Sequence, residues 1–428
     1  MQRVLVLSST KKPLMPCHPA RARELLRKGR AAVYRKVPFT IILKYREDGE
    51  VQPVEVKVDP GSKVSGIALV ASFKRGAAVV WAGNLKHRGD AIRMALASRR
   101  SLRRGRRSRK TRYRAPRFLN RTRPEGWLPP SLMSRVDNVL AWTMKLLRFA
   151  PLKEVAVETV RFDTQIMQNP EVSGIEYQQG ELQGYEVREY LLEKWGRKCA
   201  YCDAEGVPLE VEHIHPKKKG GSGRISNLTL ACRPCNERKG TVDIREFLRQ
   251  DKPRLERILA QTKASLKDAA AVNATRYAIG RALKSLGLPI SFWSGGRTKY
   301  NRTKQGYPKD HWTDAACVGE SGAAVLIHPS HRPLDVSAMG RGNRQVVHTD
   351  RYGFPASKAG RVKRVFGFQT GDIVTLVQPN GKYAGIHKGR LASIRATGQL
   401  DIKTAIGKIT APWKRFTLVQ RTDGYVYA

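Results

Sequence analysis

Two Cys-x-x-Cys pairs, Cys199-Ala-Tyr-Cys202 and Cys232-Arg-Pro-Cys235, are separated by 29 residues. Four thiolates presented on two such knuckles can close a tetrahedral site around one structural zinc ion. In a long chain with six cysteines in all, this pattern favours metal over disulfides. The intervening segment carries its own chemistry: Val211-Glu212-His213-Ile214-His215-Pro216, a Lys217-Lys218-Lys219 loop, Asn227 and, after the second knuckle, Asn236. A carboxylate beside a histidine, with a downstream amide oxygen, suits a single-metal phosphodiester site. Hard oxygens hold magnesium, and an imidazole takes a proton from water. The lysine loop faces a polyanion naturally. A zinc knuckle that only binds would need none of these residues. His215 stays open between a structural and a functional role.

Further acids are scattered along the chain. Asp59 ends the strand-like stretch Val54–Val58 and precedes Pro60-Gly61-Ser62, and Glu158 ends Val155-Ala156-Val157. His311-Trp312-Thr313-Asp314 opens a helical stretch, and one-turn spacing puts His311 and Asp314 on one face. Three acids and a histidine converging at strand and helix ends could hold two metal ions that clamp the attacking and leaving oxygens of a phosphodiester. Singly, each is an ordinary turn or surface residue; their order along the chain carries the reading.

The elements that must position these groups sit in a strongly basic chain. Lys plus Arg number 80 against 36 Asp plus Glu, a formal charge of +44 over 428 residues. Such a chain repels itself unless a polyanion is present, so nucleic acid is the expected partner. No apolar run approaches the ~20 residues of a membrane span. The strand-like start, Met-Gln-Arg-Val-Leu-Val-Leu, lacks a signal-peptide pattern, so the cytoplasm of a prokaryote is the expected compartment. Residues 91–124 hold fourteen Lys or Arg and no acid, including Arg99, Arg100, Arg103, Arg104, Arg106, Arg107, Arg109, Lys110, Arg112 and Arg114. With almost no apolar face, this block is either a solvated charged segment or a helix that forms against phosphates.

Periodicity places the rest. Val4–Ser8 and Phe39–Tyr45 read as strands, Pro13-Leu14-Met15-Pro16 as a turn, and Ala20–Lys28 as a helix. Val54–Val58 and Ser65–Val70 read as strands, and Leu152–Glu158 as a buried strand. Leu132, Val136, Val139, Leu140, Met144 and Leu147 recur at helical spacing. Residues 160–182 look like a linker, 250–288 largely helical, and Ser291–Ser294 a strand ended by Gly295-Gly296. From about 331 the texture is short strands with hairpin-type turns at Asn380-Gly381, Thr397-Gly398 and Asp423-Gly424.

The 199–240 segment resembles the HNH (ββα-metal) nucleases. That resemblance implies His213 as general base, Glu212 and Asn236 as metal ligands, and Asn227 as the residue that orients the histidine loop. The order of the remaining acids resembles the RuvC-like nucleases, with Asp59 in the first motif, Glu158 in the second, and His311 and Asp314 in the third. An arginine block between motifs one and two, an HNH insertion between two and three, and Pro13-Leu14-Met15-Pro16 near the start together resemble IscB, the transposon-encoded relatives of type II CRISPR effectors.

The resemblance implies an α+β multidomain fold: an RNase H-like (RuvC) core split by a bridge helix and a zinc-stabilised HNH insertion, with a small all-β C-terminal domain. The spans are 1–52 (PLMP domain), 53–90, 126–165 and 250–330 (RuvC-like parts), 91–125 (bridge helix), 166–182 (linker), 183–249 (HNH) and 331–428 (target-adjacent-motif domain). It further implies a metal-dependent endodeoxyribonuclease using magnesium or manganese at both sites and structural zinc. A noncoding guide RNA would gather the arginine block and pair with one strand of duplex DNA, in a monomeric ribonucleoprotein. The HNH site would cut the guide-paired strand and the RuvC-like site the displaced one. Two other readings stand beside it: a protein-guided structure-specific or homing endonuclease, and a non-enzymatic RNA-binding protein.

Overall fold

The computed structural model describes residues 2–109, 127–159, 191–262 without 193, 267–340, 347, and 350–427 without 353 and 359–361. The chain forms two compact units, Met1–Thr159 with Tyr277–Ala428, and Val160–Arg276. The linker expected at 166–182 lies outside the described residues.

In the first unit, the N-terminal stretch folds as a four-stranded sheet in the order Pro13–Cys17, Val4–Leu7, Thr40–Leu43, Ala31–Arg35, with helix Pro19–Arg27 beside it. Pro13–Pro16 is therefore strand, not turn: Val6 pairs with Leu14 and Leu7 with Pro13. Proline lacks a ladder donor, and this strand sits at the sheet edge where that loss is tolerated.

The central sheet has eight strands. Its main path runs Ile290–Trp293, Leu152–Glu158, Val54–Asp59, Val64–Phe73, Gly76–Lys86, Leu334–Ala338, Tyr425–Tyr427, and Val325–Leu326 also pairs with Gly76–Lys86. Val54–Asp59 is antiparallel to its hairpin partner Val64–Phe73 but parallel to Leu152–Glu158, which is parallel to Ile290–Trp293. Val54, Val56, Val58, Val155 and Val157 are fully or almost fully buried, and with buried Lys57 and Ala156 between them both faces of these strands are covered. Helix Pro130–Leu147 covers one face with Val136, Val139, Trp142 and Leu146. Trp142 stacks on Trp81 of the sheet at 5.9 Å and 15°. On the other face, fully buried Lys57 donates to the Val318 carbonyl at 2.5 Å, just past helix His311–Ala316, and pairs with Glu55 at 3.5 Å. A cation there complements the negative end of the helix.

The C-terminal stretch builds a five-stranded antiparallel sheet in the order Gly407–Pro412, Gln399–Thr404, Gly385–Ile394, Ile373–Gln378, Phe416–Gln420. Its own core gathers Val374, Leu376, Leu391, Leu400, Ile402 and Phe416. The boundary at 331 differs from the sequence reading. Leu334–Ala338 and Tyr425–Tyr427 pair with each other and extend the central sheet, so Asp423-Gly424 leads out of the small sheet and closes no hairpin within it. Asp423 secures that return: Lys145 and Arg35 reach its carboxylate at 2.8 and 2.7 Å. Gly295-Gly296 opens helix Gly295–Lys304 behind a Ser294 N-cap.

In the second unit, a hairpin of Leu209–His213 and Leu228–Cys232 packs with helix Arg233–Lys239. Its core runs from Leu191 and Leu192 through Leu230 and Ile244 to Ile258. Helix Lys252–Thr262 thus completes this core, whereas the sequence reading assigned 250 onward to the other module.

Candidate functional site

The four thiolates converge: the sulfurs of Cys199, Cys202, Cys232 and Cys235 all lie within 4.8 Å of one another. One knuckle lies just before the hairpin and the other spans its last strand residue and the start of the following helix. The donor set, four sulfurs with three of the residues buried, suits tetrahedral zinc.

His213 and Glu212 end the first hairpin strand. Burial and the nearby Lys217 ammonium hold the His213 imidazole below its ordinary range, so it is neutral at pH 7 and free to accept a proton. Asn227 fastens the loop after it: its Oδ1 accepts from the His215 amide at 2.8 Å, and its Nδ2 donates to the His215 and Ser222 carbonyls at 2.9 and 2.7 Å. Both His215 nitrogens are engaged, with Asp243 at 2.8 Å and the Lys219 carbonyl at 2.9 Å, which pins the Lys217–Lys219 turn.

The expected partnership of Glu212 with Asn236 is not assembled. Alternate strand residues share a face, so Glu210 and Glu212 both meet helix Arg233–Lys239. Asn236 donates to Glu210 at 2.7 Å. Buried Glu212 accepts from Tyr201 at 2.6 Å and from Lys239 at 2.7 Å, and Lys239 also donates to the His213 carbonyl at 2.8 Å. Tyr201, Glu210 and Lys239 were missed by the sequence reading; the two acids spaced by two residues were the available signal.

The scattered acids meet in the first unit. Asp59 and Glu158 end neighbouring parallel strands paired Val58 to Val157, so both leave the sheet at the same end. Helix His311–Ala316 lies across the adjoining strand at Gly66, the residue paired with Asp59. A Cβ at Gly66 would come within 1.8 Å of the His311 carbonyl, so only glycine permits this approach. His311 Nδ1 is 3.7 Å from Asp59. Asp314, almost fully buried, is held by Arg302 at 2.7 Å and Lys309 at 2.6 Å. Burial, then Asp59 and Asp314, push the Glu158 carboxyl well above the ordinary range. Burial and Asp59 likewise raise Asp314, against the pull of Lys309 and Arg302.

Carboxylates gathered at one buried end of a sheet favour a divalent cation among their oxygens, so the donor set fits magnesium. The oxygens do not close as tightly as the thiolates: among the described residues, only the cysteines form a ligand group within 4.8 Å. Buried Arg135 donates to the Gly61 and Pro60 carbonyls at 2.7 and 2.5 Å, clamping the turn that follows Asp59. Burial lowers its guanidinium to about 10, with Asp59 opposing. The sequence reading passed over Arg135, although an arginine beside Val136 on an apolar helical stripe was a visible anomaly.

Of the arginine block, helix Gly89–Ser108 buries no residue. Arg99, Arg100, Arg103, Arg104 and Arg107 are exposed. Arg106 and Arg109 are partly covered, and Arg109 donates to the Tyr352 carbonyl at 2.8 Å. Lys110, Arg112 and Arg114 lie outside the described residues. Among the described residues, no helix is long and apolar enough to cross a membrane.

Residues 199–241 match the HNH endonuclease family model. The second unit carries an HNH endonuclease domain. Residues 4–180 match the family described as RRXRR protein, a stretch that contains Arg103-Arg104-Gly105-Arg106-Arg107. No curated protein matches the chain. Among solved structures, the type II-C Cas9 enzyme of Actinomyces naeslundii is 14% identical, over 45% of this chain and 29% of that one, at a TM-score of 0.16. Two complexes of Streptococcus thermophilus Cas9, with the GGAA and AGGA PAM, are 13% and 14% identical over 65% of this chain and 33% of theirs, at TM-scores of 0.21 and 0.22. The chain spans about a third of the length of these structures.

Proposed function

We propose that the chain is an RNA-guided DNA endonuclease of the IscB type, in which the acid cluster is a RuvC-like second nuclease site. The observation that carries the reading is the meeting of Asp59, Glu158, His311 and Asp314 at one end of a sheet. They come from three stretches, and the HNH domain is inserted between the second and third. The sheet supports it: Gly76–Lys86, Val64–Phe73, Val54–Asp59, Leu152–Glu158 and Ile290–Trp293 lie in the order 3-2-1-4-5, with the first, fourth and fifth strands parallel, which is RNase H-like.

The chain's own groups then have these roles. Neutral His213 takes a proton from water at the HNH site, and Asn227 keeps its loop in register. His311 stands beside Asp59 as the proton carrier of the second site. A divalent cation held by Asp59, Glu158 and Asp314, or by the Glu212 and Asn236 side chains of the HNH domain, would stabilise charge on the scissile phosphate. Glu212 can serve only after exchanging its contacts with Lys239 and Tyr201. The four cysteines would hold zinc. Residues 91–125 would be the bridge helix gripping guide RNA, and the small β sheet would face DNA beside the target.

The test is reprogramming. With the RNA that copurifies from its native locus, cleavage of a matched duplex should move to a new sequence when only the guide segment is changed. Cleavage that ignores the guide would favour a protein-guided endonuclease.

A further inference from the structure

We propose that Phe366 and Trp413 form a stacking platform for an unpaired nucleobase of the bound RNA. The proposal rests on the nucleic-acid reading above and adds a site within the C-terminal β region. Val365 and Phe368 exchange both backbone hydrogen bonds at 3.0 Å, closing a two-residue turn. Both turn residues are left-handed, Phe366 at φ +48° and Gly367 at +79°. Asparagine or glycine suits the first of these positions, and a phenylalanine is strained there. The strained residue is not drawn into the core: Phe366 is 46% exposed. Its ring lies flat against Trp413, with centroids 4.8 Å apart and planes 4° from parallel. The Trp413 backbone is itself fixed, its amide donating to the Gly398 carbonyl at 2.8 Å. Strain retained to display a flat aromatic surface points to a ligand with a flat face.

Charge defines that ligand further. Residues 351–428 hold fourteen Lys or Arg and three carboxylates, Asp372, Asp401 and Asp423. All three acids are turned inward: Asp372 and Asp401 are fully buried and Asp423 is held by Lys145 and Arg35. The exposed charge of this region is therefore positive throughout. Lys363 and Arg364 precede the turn, Lys414 and Arg415 follow Trp413, and all four are exposed. A π face with cations beside it in the chain takes a base by stacking and its phosphates by charge. Bases inside a duplex present no free face, so the base is unpaired, and guide RNA is the partner present before any DNA is opened.

Ultraviolet crosslinking of the wild-type ribonucleoprotein should place RNA adducts on the peptides containing Phe366 or Trp413. Phe366→Asn removes the ring while suiting the left-handed turn. It should melt no lower than wild type yet bind single-stranded RNA about tenfold more weakly, and Phe366→Tyr should restore binding. Wild-type RNA affinity in Phe366→Asn, or adducts there with DNA alone, would overturn the platform while leaving RNA guidance standing. A wild-type protein that retains no RNA would overturn both.

Discussion

Asp59, Glu158 and Asp314 are brought together from three distant stretches, and the mixed sheet that gathers them also supplies the rigidity. His213, by contrast, sits in a hairpin whose polar partners, Ala200, Tyr201, Asn236 and Lys239, lie close in sequence, on a core that includes Cys199, Cys232 and Cys235. The first site inherits its order from a core of buried valines, two stacked tryptophans and a buried helix. The second has a smaller core, from Leu191 to Ile258, and adds to it sulfur ligation and one buried ion pair. Loss of a local support should therefore collapse the HNH domain as a whole, but only detune the acid cluster.

Metal removal gives the largest expected effect. Chelating zinc should unfold residues near 195–262 and leave the first unit folded, because structural zinc binding is itself folding free energy for a core that contains its ligands. Hydrogen exchange read by peptide would show it, and whole-chain unfolding would contradict the contrast. Next is Lys239→Met, which strands the Glu212 carboxylate in the core. Breaking a buried pair from one side costs about 3–5 kcal/mol. The HNH transition in a melting curve should fall accordingly, and a neutral result would mean that Glu212 finds water.

Arg135→Gln should be milder. Leaving the Pro60 and Gly61 carbonyls unsatisfied costs about 1–3 kcal/mol, and exchange should rise in the peptide that follows Asp59. Cleavage of the strand assigned to the acid cluster should drop, with the other strand untouched. An equal drop on both strands would break the assignment of Arg135 to one site.

The smallest effect concerns Asp423. Burial works to raise its carboxyl, but Lys145, Tyr427 and Arg35 outweigh burial and hold it below the ordinary range. A depressed carboxylate stabilises the fold at pH values above its unfolded pKa of about 3.9. That stability is lost as pH falls through the lower folded value. The melting temperature of wild type should thus decline below about pH 4 more steeply than that of Asp423→Asn. Parallel curves would show that the ion pairs carry no net stability.

Much of this architecture was readable in the residues, for physical reasons that differ by region. Val54, Val56 and Val58 recur at strand spacing and Val155-Ala156-Val157 is apolar throughout, each with an acid at the end, and such patterns leave few alternatives to a buried strand. The helix at 130–147 kept its apolar stripe. Spacing alone gathered the four cysteines. What escaped were features set by tertiary neighbours. Pro13–Pro16 is a strand because the edge of a sheet tolerates prolines. Leu334–Ala338 and Tyr425–Tyr427 are too short to announce which sheet they join. The contacts of Glu212 and Asn236 depend on the face that helix Arg233–Lys239 presents, and Gly66 matters only once a helix lies across it.

Strand-resolved cleavage tests the central claim most directly. The protein would be loaded with its copurifying RNA, given magnesium and a guide-matched duplex with each strand labelled separately. Asp59→Ala and His213→Ala would run beside wild type. Each substitution should spare a different strand, with His213→Ala slowing its strand roughly 10²–10⁴-fold, the span of general acid–base catalysis. If both variants lose the same strand, or neither loses any, the two-site account is wrong.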